Sequence, residues 1–371
     1  MPMLKSLWLR VHRWLALSVG WVLLLLGASG AVLVVAQPLD RALHPEFFRA
    51  ATPVATADHT PLEPLRERLA REFGPKASFT FRPPREAGES LWVNVRGPWS
   101  GTVYFDPATG AEQGRRGETQ GFVGTLFKLH SSLWLKDTGK AILAWVALAY
   151  LFMLVSGVIL WWPRRWPPSW AVELRRGRTR ALFDLHRVAG ATLGLLIAMS
   201  VATGAYMAWR PLGGFVTTLS GAQPVKPPKL KVEDGDTRPM LDLDLLVADA
   251  RTRLPDAMVG YVLVPAKADA PLRVRMITAD DPHPNGLSSV WLDPRSGAVL
   301  GVNRWNELDP GARAVAWIYP LHTGVLGGPL LEAVIFISGS TLAGMGVTGV
   351  WLWWRRRSAR RVEAGRVAVA E

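Results

Sequence analysis

The chain has 371 residues, of which 49% are hydrophobic, a formal net charge of +13 and no cysteine. The missing cysteines exclude disulfides, iron–sulfur clusters, thiolate ligation and haem attached covalently through C-x-x-C-H. The basic excess argues against nucleic acid through its distribution: residues 1–13, 163–187 and 355–371 hold 16 basic and 4 acidic side chains, which leaves +1 for the rest of the chain.

In chain order, the apolar run Trp14–Ala36 predicts a membrane helix within residues 1–36. It is longer than the apolar core of a secretory signal and lacks a convincing small-x-small cleavage site, so it is read as retained. Residues 37–139 form a long loop region that opens on a helical pattern, Leu62–Phe73, and continues in short alternating strands at Ser78–Arg82, Leu91–Arg96 and Thr102–Asp106. The run Ala141–Trp162 predicts a second span within 140–163, and an arginine-rich connection follows over 164–187. Val188–Trp209 gives the third span, within 188–210. Residues 211–331 then repeat the loop pattern, with a helix at Leu241–Leu254 and strands at Val259–Val264, Leu272–Thr278 and Ser288–Asp293. Ala333–Trp354 gives the fourth span, within 332–354, before a basic tail over 355–371. Each run has 22 or 23 uncharged residues, and a hydrocarbon core about 30 Å thick needs roughly 20 in helical form. The positive-inside rule then puts both termini and the 164–187 connection in the cytoplasm, and both long loop regions outside it.

The halves repeat. His12-Arg13, Gly20 and Gly30-Ala31 fall on His186-Arg187, Gly194 and Gly204-Ala205. His130, Met153, Gly157-Val158 and Leu160-Trp161-Trp162 fall on His322, Met345, Gly349-Val350 and Leu352-Trp353-Trp354, and Arg164 and Arg165 fall on Arg356 and Arg357. In the loop regions, Asp106-Pro107-Ala108-Thr109-Gly110 parallels Asp293-Pro294-Arg295-Ser296-Gly297, a tight turn whose glycine supplies positive φ. The expected fold is a membrane α-helical protein of four transmembrane helices in parallel internal duplication, with two small extracytoplasmic α+β domains.

Four of the seven histidines belong to the repeat. His12 and His186 open the first and third spans near the cytoplasmic face; His130 and His322 precede the second and fourth near the outer face. The two-fold relation pairs His12 with His186 and His130 with His322. Facing imidazoles on bundle helices are a common way to hold haem iron, and ionisable groups at membrane depth are usually functional. Hydrogen-bonding core histidines would satisfy the same pattern, and Met153 and Met345 are further axial candidates whose ordinary role is packing. Copper or zinc lacks support from cysteine, a Met-rich run or clustered carboxylates. Arg13 and Arg187 suit haem propionates and serve equally well as topogenic charge. Gly20, Gly27, Gly30, Gly190, Gly194 and Gly204 leave room for a flat ligand or for a neighbouring helix. His44, His59 and His283 read as solvated loop histidines.

The His-Arg openings of the first and third spans, Leu129-His130, Leu321-His322 and the endings Ser156–Trp162 and Thr348–Trp354 resemble the PepSY-associated transmembrane proteins, and the Asp-Pro turns resemble the PepSY module. The resemblance covers nearly the whole chain. It implies a haem-containing ferric-siderophore reductase of the bacterial inner membrane, with His12, His186, His130 and His322 as ligands of haem b, two haems on the pairing above. Some relatives carry a fused flavin or nicotinamide domain. This chain has a tail of about 17 residues and no Rossmann fingerprint, so its donor is expected to be a cytoplasmic reductase or a membrane quinol. The lipid bilayer and a ferric siderophore are the other expected partners. The alternative is a non-enzymatic membrane-anchored PepSY sensor or peptidase-regulating protein; a permease ranks last, because the spans carry few charges.

Overall fold

A computed structural model describes residues 2–56, 59–163, 166–223, 225–230 and 238–370, the last eleven by backbone alone. Arg164 and Arg165 lie outside the described residues. The chain begins with helices α1 (Pro2–Leu43), α2 (Pro45–Phe48) and α3 (Leu62–Phe73). Strands β1 (Ser78–Arg82), β2 (Leu91–Arg96), β3 (Gly101–Phe105) and β4 (Glu112–Gly117) follow, then α4 (Gly121–Ser132), α5 (Lys136–Trp161), α6 (Arg178–Ala208) and α7 (Arg210–Leu219). The second strand set is α8 (Leu243–Arg253), β5 (Met258–Val264), β6 (Leu272–Ile277), β7 (Ser288–Leu292) and β8 (Val299–Asn303), and the chain closes with α9 (Pro310–Ala316), α10 (Ile318–Thr323) and α11 (Gly328–Ala370). Two compact units result: residues 1–35, 126–214 and 321–371 form a helical unit, and 36–125 with 215–320 a sheet unit.

In the helical unit, among the described residues, four helices are long and apolar enough to cross a membrane: Met3–Leu43, Lys136–Trp161, Arg178–Ala208 and Val325–Ala359. They outrun the apolar cores that define them. α1 and α6 extend N-terminally through basic residues, so His12 and His186 lie inside helices rather than opening them. α11 carries on through the segment expected as a tail, because its arginines and alanines are strong helix formers. α5 stops before Trp162-Pro163, where proline disfavours helix in the residue ahead of it. α1 and α11 cross at glycines. A Cβ on Gly27 would lie 2.6 Å from the Gly339 carbonyl oxygen, and one on Gly339 would lie 2.8 Å from that of Gly27. Only small residues allow such a crossing.

In the sheet unit the two expected α+β domains are halves of one eight-stranded antiparallel sheet, ordered β4-β3-β2-β1-β5-β6-β7-β8. β1 and β5, the first strands of each half, pair through Phe79↔Val264, Thr80↔Leu263 and Phe81↔Val262. The pairing removes the edge each half would otherwise expose. The alternating apolar residues of both halves share one core, in which Phe81, Leu91, Val93 and Phe105 join Val262, Leu272, Val274 and Leu292 beneath Leu65 and Leu69 of α3 and Leu246 and Ala250 of α8. Each helix caps the other. Asp244 accepts from the Leu62 and Glu63 amides at 2.8 and 2.9 Å, and Glu63 accepts from the Leu243 amide at 2.9 Å. These carboxylates satisfy amides that helix N-termini leave open.

The strand and helix bounds read from alternation recur to within a residue or two. β4 and β8 were not expected, since Glu112–Gly117 is polar throughout and Val299–Asn303 is interrupted by Gly301. The Asp-Pro turns form as expected. Asp106 accepts from the Ala108 and Thr109 amides, Asp293 from the Arg295 amide, and Gly110 and Gly297 take φ of 69° and 73°.

Candidate functional site

The helical unit brings the four repeated histidines together as two pairs. His12 of α1 meets His186 of α6 with ring centroids 6.5 Å apart and planes at 84°. His130 of α4 meets His322 of α10 at 6.2 Å and 41°. Each pair takes one ring from each half of the chain.

All four rings sit in the same kind of niche, made by a (Ser/Thr)-Gly dipeptide on a neighbouring helix. The dipeptides are Ser156-Gly157 for His12, Thr348-Gly349 for His186, Ser29-Gly30 for His130 and Thr203-Gly204 for His322. The hydroxyls lie 2.8, 3.3, 3.0 and 3.1 Å from the Nδ1 atoms. The glycines clear space for the ring edges. An added Cβ would lie 2.9 Å from Cε1 of His130 at Gly30 and 2.8 Å from that of His322 at Gly204, but 3.6 and 3.9 Å from the other two rings at Gly157 and Gly349.

The hydroxyls also fix the tautomer. A hydroxyl has one proton, and each of these donates to a carbonyl of its own helix: Ser29 to Leu25 at 2.6 Å, Ser156 to Met153 at 2.8 Å, Thr203 to Met199 at 2.8 Å and Thr348 to Gly344 at 2.9 Å. Their oxygens are left as acceptors, so each imidazole must donate from Nδ1–H. His322 Nδ1 also faces the Ser200 carbonyl at 3.0 Å, and only a donor suits that partner. In the neutral ring, Nδ1 protonation puts the lone pair on Nε2, and none of these hydrogen bonds uses Nε2. When neutral, rings held in this way are oriented as metal ligands are, with the second nitrogen held by a polar partner.

The donor set also limits what could bind. Among the described residues no group of three or more His, Cys, Asp or Glu is placed to hold a metal ion. A bare zinc site takes three or four protein ligands. Each pair offers two imidazoles, so a group held there would bring its remaining donors with it.

Between the pairs lies an apolar layer. Seventeen positions separate His12 from Ser29, and likewise His186 from Thr203, or about 25 Å of helix at about 1.5 Å per residue. Val22, Leu23, Leu143, Val146, Tyr150, Ile197, Ala198 and Leu342 fill this stretch as one buried cluster. Met153 and Met345, the alternative ligands, pack against that cluster.

The two arginines beside the histidines differ. Arg187 donates to the Ser169 and Ala171 carbonyls at 2.6 and 3.0 Å and lies 3.4 Å from Asp184, which is fully buried. Its guanidinium is committed to the connection before α6. Arg13 makes no hydrogen bond or ion pair among the described residues; its nearest notable contact is the ring of Trp14, 6.0 Å away.

Of the other histidines, His44 lies 3.0 Å from Glu46, and His59 is 2.7 Å from the Thr60 carbonyl. His283 is not the solvated loop residue expected. It is half-buried and stacks on Tyr319, centroids 4.5 Å apart and planes at 19°. Burial and the nearby Arg275 and Arg85 push its imidazole down to about 4. The sequence did hold a signal: the β6–β7 connection spans 278–287, where its counterpart between β2 and β3 spans only 97–100.

Four long apolar helices, with two cross-half pairs of histidines on α1, α6, α4 and α10, define a multi-pass helical membrane protein with paired imidazole sites. The chain belongs to the PepSY-associated TM region family, which matches it over residues 9–356. No curated protein matches the chain.

Proposed function

We propose that this protein holds two b-type haems, one between His12 and His186 and one between His130 and His322, and carries electrons across the bacterial inner membrane to reduce a ferric siderophore outside it. The observation that carries the proposal is the shared tautomer: four hydroxyls hold four Nδ1–H groups and leave four Nε2 lone pairs for metal. The spacing supports it: ring centroids 6.5 and 6.2 Å apart would let each pair of imidazoles hold one haem between them. Bound haem would supply one-electron chemistry, which the side chains lack. The chain's own residues orient the ligands and exclude water. The hydroxyls stop the imidazoles from rotating, the glycines admit the ring edges, and the apolar layer bars ions and water from the path between the pairs. Arg13, with its guanidinium uncommitted among the described residues, suits a propionate better than Arg187 does.

The basic residues flanking His12 and His186 favour cytoplasmic termini, with entry of electrons from a reductase or quinol at that end. One electron per Fe(III) lowers its affinity for hard oxygen donors and frees the iron as Fe(II). A purely anchoring role for the helices would leave four matched histidine niches without a purpose.

The test is haem quantification on the purified full-length protein. Two haems per chain and a dithionite-reducible α band are expected, with His12→Ala or His186→Ala removing one haem and His130→Ala or His322→Ala the other. Protein that is folded but free of haem when expressed with ample haem supply would sink the proposal.

A further inference from the structure

The sheet has two faces. One packs under α3 and α8; the other carries the opposite residues of each strand, and its second half is unusually cationic. With Leu91 aligned on Leu272, Trp92 and Asn94 of β2 correspond to Arg273 and Arg275 of β6. These arginines lie two residues apart on the face away from the core, since Leu272, Val274 and Met276 are buried beneath the helices. Arg85, from the β1–β2 connection, reaches the same region and donates to the Pro284 carbonyl at 2.8 Å and to Asn285 Oδ1 at 3.1 Å.

Arg85, Arg273 and Arg275 are half-buried, yet none makes an ion pair among the described residues. In the first half, by contrast, Arg82 pairs with Glu89 at 3.2 Å and Arg116 with Asp40 at 2.7 Å. Asp281 is the one carboxylate lying towards Arg275, and its two oxygens accept from the His283 and Leu287 amides at 3.0 and 2.7 Å. Nε of Arg85 and Nε of Arg275 are buried without a hydrogen-bond partner. Burial lowers all three guanidinium pKa values, that of Arg273 to about 10, and its neighbour Arg275 adds to that shift. They remain cationic at neutral pH with no carboxylate in ion-pair contact among the described residues, only Glu89 towards Arg85 and Asp281 towards Arg275, an arrangement that a folded protein seldom retains without use. His283 and Tyr319 stand beside them as a stacked, neutral wall.

We propose that Arg85, Arg273 and Arg275, with the 278–287 loop as wall, form an anion-recognition site that takes the acidic oxygens of the ferric chelate. This rests on the ferric-siderophore reading above and narrows its substrate class to chelates with net negative charge. Guanidinium groups match carboxylate and similar paired oxygens in two-point geometry, which an ammonium does not.

Isothermal titration of the full-length, haem-loaded protein in neutral detergent tests it. The probes are ferric citrate, which is anionic, and a neutral ferric tris-hydroxamate. Ferric citrate is expected to bind more tightly than the neutral chelate and to weaken as salt rises. Arg273→Gln is the cleanest variant, because the Arg273 side chain hydrogen-bonds to Ser289 on the adjacent strand and lies over the Trp291 ring. It should weaken ferric citrate about tenfold or more and the neutral chelate far less. Arg275→Lys, which keeps the charge, should lose less than Arg275→Gln. Unchanged citrate affinity in Arg273→Gln overturns the site. So does displacement of ferric citrate by vesicles of phosphatidylglycerol but not phosphatidylcholine, which would assign the arginines to a lipid headgroup. The haem spectrum of the same samples separates the failures: absent haem counts against the electron-transfer reading, while intact haem with unaltered citrate binding counts against the arginines alone.

Discussion

In the helical unit the two halves of the chain agree almost atom for atom at the histidines. In the sheet unit they part company. Ser29 and Ser156 in the first half do the work of Thr203 and Thr348 in the second, hydroxyl for hydroxyl. The sheet halves share strand order and core, yet Trp92 and Asn94 give way to Arg273 and Arg275, and a four-residue connection becomes ten. The difference teaches where geometry leaves freedom. An imidazole that must present one nitrogen tolerates little change in its surroundings. The outer face of a sheet whose core is complete can be rewritten in one half without unfolding the other.

The niches themselves are unequal in one respect, which gives the largest expected effect. Gly30→Ala and Gly204→Ala place a methyl group below 3 Å from an imidazole carbon, whereas Gly157→Ala and Gly349→Ala leave ordinary contact distances. The first two should each cost about 1–3 kcal/mol and dislodge the His130 or His322 ring. The other two should stay within about 0.5 kcal/mol of the parent. Thermal unfolding and haem content of the four variants, side by side, check the split. Equal losses in all four would mean that ring clearance does not govern the niches.

Removing the hydroxyls should matter somewhat less, and unequally. Ser29→Ala leaves His130 without its side-chain acceptor, and haem affinity at that pair should fall about tenfold. Thr203→Val keeps the volume and the Ser200 carbonyl, 3.0 Å from His322, so its loss should be smaller. Competition for haem by apomyoglobin would rank them, and the reverse order would contradict the assigned tautomer network.

Much of this was legible in the sequence. Spans, duplication and histidine pairing follow from hydropathy and from one-to-one matches, because lipid demands long helices and the repeat carries its own symmetry. Both halves of the niche motif were also in view, at Ser156–Trp162 and at Gly30-Ala31. What joined them was not, since the contact between Ser29 and His130 depends on how α1 meets α4. The sheet merged where two domains were expected, because the alternation of β1 and β5 says which face is buried but not which strand lies alongside. Arg85, Arg273 and Arg275 lie far apart in sequence and converge only through strand register.

His283 offers a test confined to the second half. Its pKa, lowered from 6.5 to about 4 by burial and by Arg275 and Arg85, means that the unfolded chain takes up a proton the folded one refuses. That contribution to stability is present above about pH 6.5 and is lost as pH falls towards about 4. Wild-type protein should therefore lose thermal stability more steeply over this window than His283→Gln does. Near-UV circular dichroism melts at several pH values would show it, and parallel profiles would mean that His283 is solvated after all.

The smallest effect concerns the connections that lead into the second and fourth spans. Lys136 and Gly328 occupy equivalent positions and both take a positive φ, 51° and 56°. Glycine adopts that conformation freely; lysine holds it at a cost of roughly 1–2 kcal/mol, because its Cβ crowds the backbone carbonyl. Lys136→Gly relieves the crowding but adds freedom to the unfolded chain, so the net gain should be below about 1 kcal/mol. A Cβ at Gly328 meets nothing within 4 Å, but with ψ of −151° its backbone lies in a region open almost to glycine alone, so Gly328→Lys should cost more, about 1–3 kcal/mol, through the backbone. The two substitutions should shift the melting temperature in opposite directions, Gly328→Lys by the larger amount. If Lys136→Gly destabilises instead, the lysine side chain contributes more than its backbone costs, and its long stem or its charge holds this turn in place of glycine.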